Sequence, residues 1–216
     1  GYNYSYLEWR QNAGDADIHQ LLFGVRSGFA CGGWLFDLAT FGGVNLYDSK
    51  RRIRYASVDQ TATEDHTGGH LTSHFGFVWH DLHFFELFGS CAYHYLHQVE
   101  FDEKGAGSLD LHVLERDDHY LRSELGGRFQ HIFEMRCGEW NIFTGASWVY
   151  KTPLQGGKHT SKFLDYENLS QELVVDTFDK SMSFISPEFE IGYIGEILAC
   201  NVLYKGEFGK DYYTNP

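Results

Sequence analysis

Apolar and polar residues alternate with a period of two along most of this chain. Over Trp140–Tyr150 one face carries Trp140, Ile142, Ala146, Trp148 and Tyr150, and the other carries Asn141, Gly145 and Ser147. Phe189, Ile191 and Tyr193 oppose Glu188, Glu190 and Gly192. Val202, Tyr204 and Phe208 oppose Asn201, Lys205 and Glu207, while Phe75, Phe77 and Trp79 share a face with Leu71 and Ser73. Such a period belongs to β-strands, whose successive side chains point to opposite faces. One segment admits a second period. Leu121, Leu125, Phe129 and Phe133 recur every four residues, as on an amphipathic helix. Gly126-Gly127 in its middle would cost such a helix about 1 kcal/mol per glycine relative to alanine. A strand is therefore predicted, with Leu121, Ser123, Leu125, Phe129 and Phe133 outward and Arg122, Glu124, Arg128 and Gln130 inward. Glu167–Val175 fits a short helix or a folded loop.

Nine strands of membrane-crossing length follow: Gly1–Trp9, Ile18–Cys31, Trp34–Leu46, His70–Trp79, Phe84–His97, His119–Phe133, Trp140–Lys151, Met182–Ile194 and Ile197–Phe208. Each meets the ~9–11 residues that a tilted strand needs to cross a bilayer. Their connections alternate in length. Tight joins at Gly32-Gly33, His80–His83, Arg136–Glu139 and Gly195-Glu196 alternate with long polar stretches at Tyr47–Gly69, Glu100–Asp118 and Pro153–Ser181. In an up-and-down antiparallel sheet every second connection lies on the same rim, so one rim carries turns and the other loops. Transmembrane β-barrels have that asymmetry, and a soluble sandwich has no reason for it. Charged residues in mid-strand, on the face opposite the aromatic one, reverse the polarity expected of a soluble barrel. The fold class expected is all-β: an antiparallel up-and-down transmembrane β-barrel. Nine is odd, whereas bacterial single-chain barrels have even strand numbers. The set is thus expected to be partial.

Composition is compatible with that picture. Among 216 residues, 17% are aromatic, with 24 Gly and only 3 Pro, which suits a sheet protein with interfacial rings. A mean hydropathy of −0.37 excludes a helical membrane protein but not a barrel, whose strands show lipid only alternate residues. The net charge of −13 argues against nucleic acid, whose binding rests on basic side chains neutralising phosphate. No secretory leader precedes the strand-like Tyr2–Tyr6, so a processed chain or a fragment is expected.

Candidate chemistry is sparse. Cys31, Cys91, Cys137 and Cys200 lack metal-ligand spacing, and their pairing cannot be deduced. Cys91 and Cys200 sit in strand-like runs, where a small apolar filler is the plainer reading. His66, His70 and His74 have the spacing of zinc ligands on a helix. Gly68-Gly69 interrupts any such helix and no Glu lies between them in the way a zinc hydrolase requires. Glu188 and Glu190 could form an acid pair, but a pair neutralised by Arg122, Arg128 and Lys205 is the simpler account. There is no Gly-x-Ser-x-Gly elbow and no glycine-rich phosphate loop. The residues expected to line a hydrated lumen are Arg122, Glu124, Arg128, Glu188, Glu190, Lys205 and Glu207. No catalytic residue, cofactor or metal is assigned.

Three segments carry a resemblance. Asn201–Tyr212 is similar to the penultimate-strand signature of autotransporter β-domains, Leu-Tyr-x-Gly-Glu-Phe-Gly-x-Asp-Tyr. Phe101–Ala106 followed by Leu121–Gly126 resembles the family's Phe-x-Glu-x-Gly-Ala and Leu-Arg-x-x-Leu-Gly block. Leu35–Asp48 resembles a strand ending in Phe-Gly-Gly-Val-Asn. The resemblance extends from about Gly1 to Tyr213, and the cysteines and histidine-rich loops resemble those of chlamydial polymorphic outer-membrane proteins.

The resemblance implies a twelve-stranded translocator barrel in the bacterial outer membrane. It would anchor an N-terminal passenger and help carry it to the cell surface (type V secretion), with a linker helix through the pore. On that reading residues 1–216 are one β-domain truncated at both ends, lacking about two early strands and the final strand. Its partners would be outer-membrane lipid, its own passenger and the barrel-assembly machinery. The alternative is a stand-alone porin-like barrel or outer-membrane enzyme.

Overall fold

The computed structural model describes residues 1–9, 13–55, 57–81, 84–135, 138–166, 172–176, 180–195, 198–209 and 212–214. Strands dominate it: β1 Tyr2–Glu8, β2 Gly14–Cys31, β3 Trp34–Tyr55, β4 Val58–Asp81, β5 Phe85–Gln98, β6 Phe101–Asp102, β7 Leu111–Val113, β8 Arg116–Met135, β9 Gly138–Gln155, β10 Lys158–Phe163, β11 Leu173–Asp176, β12 Met182–Gly195, β13 Ala199–Lys205, β14 Glu207–Gly209 and β15 Tyr212–Thr214. Two single turns of 3-10 helix, Gly107–Leu109 and Leu164–Tyr166, interrupt them. No helix among the described residues is long and apolar enough to cross a membrane, which does not bear on crossing by strands.

The main sheet is antiparallel and runs β1-β2-β3-β4-β5-β8-β9-β12, then β13 and β14 beside β12, then β15. β13 and β14 keep one register along β12, with Glu188 opposite Lys205 and Ile185 opposite Phe208. They are one strand interrupted at Gly206, which faces Pro187. The Gly206 amide donates to the Pro187 carbonyl at 3.2 Å, but Pro187 has no N–H to return the bond. Counted so, all nine expected strands are present, and β15 adds a short tenth pairing with β14. Leu121–Phe133 lies in β8, a strand and not a helix.

The hairpin at Gly32-Gly33 shows why the tight joins need glycine. Cys31 pairs with Trp34, so two residues make the turn, with φ of +56° and +84°. A two-residue turn with both φ positive is the type whose twist matches the flanking strands. Residues 82–83, 136–137 and 196–197, on which the other tight joins rest, lie outside the described residues.

At the opposite rim the structure corrects the expectation of three long loops. Tyr47–Gly69 is no loop: β3 and β4 pair without interruption from Trp34↔Trp79 to Tyr55↔Val58. Side-chain alternation simply continues past the apolar belt, with polar residues on both faces, so hydropathy alone stops the strand too early. The stretches Glu100–Asp118 and Pro153–Ser181 contribute a second, four-stranded sheet in the order β11-β10-β7-β6. Residues 167–171 of the segment that fits a helix or a loop lie outside the described residues, and Leu173–Asp176 is a strand. The bulge beside Pro153, where His119 pairs with Gln155 and Tyr120 with Pro153, marks where β9 leaves the main sheet.

The small sheet folds over the inner face of the β3–β4 extension and makes a local core of Ala62, Ala106 and Val113. Glu103 anchors it. Its carboxylate pairs with the Arg51 guanidinium, accepting from Nε at 2.7 Å, and also accepts the Leu111 amide at 3.0 Å. Phe101 and Tyr47 sandwich the His66 ring at 4.3 and 4.4 Å.

The two faces of the main sheet differ in kind. Outward are Phe23, Val25, Leu38, Val44, Leu71, Leu125, Phe129, Trp148, Ile185, Phe189, Val202 and Tyr204, all exposed. Near the tight turns Phe29, Trp34, Phe36, Phe75, Phe77 and Trp79 form a continuous outward row, with ring centroids 4.8–6.3 Å apart. Near the other rim a second row stands in two groups, Tyr2, Tyr4 and His19 on β1 and β2 and Tyr93, Tyr95 and His119 on β5 and β8. Two aromatic girdles flanking an apolar band are the marks of a bilayer-spanning barrel. The rule is not strict, since Phe41, Ile132 and Leu203 face inward. The sheet curls into a half-barrel with the second face on the concave side.

Candidate functional site

The inner face is polar because alternation puts every second residue there, and curvature then brings distant strands within reach. Arg122, Glu124 and Arg128 stand on β8, Glu188 and Glu190 on β12, Lys205 on β13 and Glu207 on β14. The register places all seven on one face. β8 and β14 are separated by β9 and β12, three strand spacings or about 14 Å along a flat sheet. Arg122 Nη2 nevertheless lies 3.1 Å from Glu207 Oε1, which requires the side chains to converge across a concave surface.

From Arg122 a network spreads. Its Nη1 donates to Glu124 Oε2 at 2.6 Å, and Glu124 Oε1 accepts from Ser147 Oγ at 2.6 Å. Lys205 Nζ is 3.6 Å from Glu124 and 3.8 Å from Glu188, and Lys151 Nζ is 3.5 Å from Glu207. Three cations, Arg122, Lys151 and Lys205, thus face three carboxylates, Glu124, Glu188 and Glu207. The Glu124 side chain is only 8% exposed. A carboxylate so shielded is tolerated because it is paired and hydrogen-bonded.

Arg128 and Glu190 sit apart from that network. Arg128 pairs with Glu86 and lies over the Phe88 and Phe143 rings at 5.4 and 5.0 Å. Glu190 accepts from Asn201 at 2.7 Å. Glu188 and Glu190 therefore take separate partners.

The other half of the concave face carries an amide ladder among separate charged pairs such as Arg26 with Asp37. Asn3 donates to Gln20 at 2.8 Å, Gln20 to Asn45 at 3.1 Å, and Asn45 Oδ1 meets His70 Nδ1 at 3.1 Å. One amide ladder thus crosses β1 to β4. His66, His70 and His74 share this face of β4. At about 3.3 Å per residue, neighbours four apart along a strand are ~13 Å apart, too far to chelate one ion. Each has its own partner: Glu64, Asn45 and, at 3.3 Å, Asp37.

Sequence reasoning missed Lys151 and Glu86 as members of the charged set. The signal was present in the alternation itself, since Lys151 has the parity of Ser147 and Asn141, and Glu86 that of Ser90 and His94. Cys200 is exposed and not a packed filler, Cys91 is half-buried, and Cys137 lies outside the described residues.

Outside the membrane band, His159 on β10 is half-buried close to Arg116. Burial, followed by that guanidinium, holds its imidazole below the ordinary histidine value.

No curated protein matches this chain. The family model described as the autotransporter beta-domain matches residues 1–182, from β1 to the start of β12. With its up-and-down sheet, its outward apolar band and its charged inner face, the chain belongs to the autotransporter beta-domain family.

Proposed function

We propose that this chain is the membrane anchor and export conduit for a passenger polypeptide attached N-terminal to it. Family membership supports an outer-membrane translocator role in type V secretion. The observation that carries the finer reading is the opposition of the two faces. The apolar outward band with its two aromatic rows fits a hydrocarbon layer. The inner face, with Arg122, Glu124, Arg128, Glu188, Glu190, Lys205 and Glu207 on one side and the amide ladder on the other, supports a hydrated path. Because Arg122, Lys151, Lys205, Glu124, Glu188 and Glu207 neutralise one another, that wall would let an extended or helical peptide pass without binding one sign of charge tightly. Residues 1–216 act on this reading as one β-domain, with bilayer lipid outside and the barrel-assembly machinery as the partner that inserts it.

The test expresses the full-length gene product with an epitope placed upstream of Gly1 in intact cells. The expected result is a heat-modifiable barrel in the outer-membrane fraction and an epitope removed by added proteinase K. A barrel that inserts while the epitope stays protected would refute export. Extraction into buffer without detergent would refute the membrane reading altogether.

A further inference from the structure

The outward band contains a hollow between β2 and β5. Two register rows cross it, Phe23–Gly42–Leu71–Tyr95 and Leu21–Val44–Gly69–His97. Gly42 and Gly69 leave bare backbone where their neighbours carry large side chains. The resulting groove measures about 630 Å³ and is walled by Phe23, Val25, Val44, Leu71, Tyr95 and His97. It is apolar until its upper end. There Tyr95 and His97 stand at the level where the outward face turns from apolar to charged, with His97 directly opposite Asp117 of β8 and Tyr95 opposite His119.

That upper end holds a cluster of metal-binding groups. His97 Nδ1 is 3.0 Å from Asp117 Oδ1 and 3.8 Å from Glu115 Oε1, and one ligand atom from each of the three residues lies within 4.8 Å of the others. The Tyr95 hydroxyl donates to Asp117 at 2.8 Å, as groups behind a metal ligand do to orient it. Metal–ligand bonds of about 2.0–2.2 Å in a tetrahedral shell put donor atoms about 3.3–3.6 Å apart, between the two distances here. One imidazole nitrogen and two carboxylates suit a divalent ion such as Zn²⁺ or Mn²⁺ and leave coordination positions open.

Groove and cluster share His97, and together they describe the two ends of a lipid. A chain that leaves the bilayer for the groove exchanges one apolar surrounding for another, so selectivity must come from the polar end. Two carboxylates repel a phosphate unless a cation lies between them. We propose that this groove takes an acyl chain of a membrane lipid whose phosphate headgroup is tied to the barrel through a divalent cation held by His97, Glu115 and Asp117. The proposal rests on the membrane-spanning reading of the outward face.

Gly69→Leu tests the groove. A Cβ there would meet nothing nearer than the Gly43 carbonyl at 3.7 Å, so the added side chain fills the hollow without strain. Gly42 would not serve, because its Cβ would lie 2.7 Å from the His70 carbonyl. His97→Ala and Asp117→Asn test the cation site, and Leu125→Ala, elsewhere on the outward face, is the control. The full-length protein in mild detergent is incubated with lipid A and Mn²⁺ and examined by native mass spectrometry.

One retained lipid is expected. Retention should fall about tenfold or more with EDTA, with dephosphorylated lipid A, with Gly69→Leu and with either cation-site variant, but not with Leu125→Ala. Retention indifferent to EDTA, or unchanged in Gly69→Leu, would overturn the proposal. So would metal-independent preference for phosphatidylethanolamine, which would mean that the carboxylates hold an ammonium group directly. Heat-modifiability of every variant, measured alongside, reports the membrane barrel separately from the lipid site.

Discussion

Replacing Phe189 with arginine puts the polarity of the sheet to its most direct trial. Phe189 lies mid-strand on β12, opposite Thr144 of β9 and Tyr204 of β13, with 44% of its surface exposed on the outward face. An arginine on the lipid face of a barrel near the bilayer midplane costs about 2–4 kcal/mol. Loss of the cross-strand contact with Tyr204 adds about 0.2–1 kcal/mol. Phe189→Arg should therefore destabilise the folded barrel by roughly 2–5 kcal/mol. Lys205→Ala, on the neighbouring strand but inward, removes two contacts of 3.6 and 3.8 Å from a side chain 40% exposed to water. Such pairs are worth about 0–1 kcal/mol each. At the middle of those ranges, about 3.5 against about 1 kcal/mol, the two variants differ by roughly 2.5 kcal/mol, more than tenfold in the folding constant. Urea unfolding in phospholipid vesicles, followed by the heat-modifiable band shift, measures both, and Phe189→Leu separates charge from shape. If Lys205→Ala proved as damaging as Phe189→Arg, the faces would be assigned the wrong way round.

Arg122 and Glu207 bridge strands three apart, and an Arg122→Ala/Glu207→Ala double-mutant cycle should show a coupling of about 0.5–3 kcal/mol in the same assay; no coupling would mean that the curved sheet does not hold them together. Glu103→Ala removes a buried carboxylate from Arg51 and from the Leu111 amide, at a local cost of about 1–3 kcal/mol, so limited proteolysis should cut the small sheet while the heat-modifiable barrel persists. Gly32→Val forces a β-branched residue to φ of +56° at about 1–2 kcal/mol or more, whereas Gly32→Asn should be nearly silent by urea unfolding. His159 is held below its ordinary value of 6.5 by burial and Arg116. The unfolded loop therefore takes up the proton more readily, and the small sheet should lose stability as pH falls through about 6.5 toward the lower folded value. Proteolysis at pH 5 should be faster than at pH 7.5, a difference that His159→Gln abolishes.

Much of this was legible along the chain. The nine strands and the faces of Phe189, Tyr204, Arg122 and Glu124 follow from alternation, which is a local property needing only the pleat. The choice of strand for Leu121–Phe133 followed from two glycines that a helix would resent. The upper half of the β3–β4 hairpin was not legible, because above the apolar belt both faces meet polar surroundings and the period of two loses its contrast. The four-stranded loop sheet escaped for a related reason: its strands are two to six residues long, too short for a period to register.

What the amino-acid order determined by itself was which residues look the same way. Which of them meet was decided only by the tertiary structure. Glu103 finds Arg51 across 52 positions and Arg122 finds Glu207 across 85, distances over which no local pattern carries information. The hollow over Gly42 and Gly69 exists only because strand register sets two glycines diagonally adjacent on the outward face. Alternation is written into each strand by the geometry of its own backbone, whereas pairing across strands depends on register and curvature, which the whole sheet settles together.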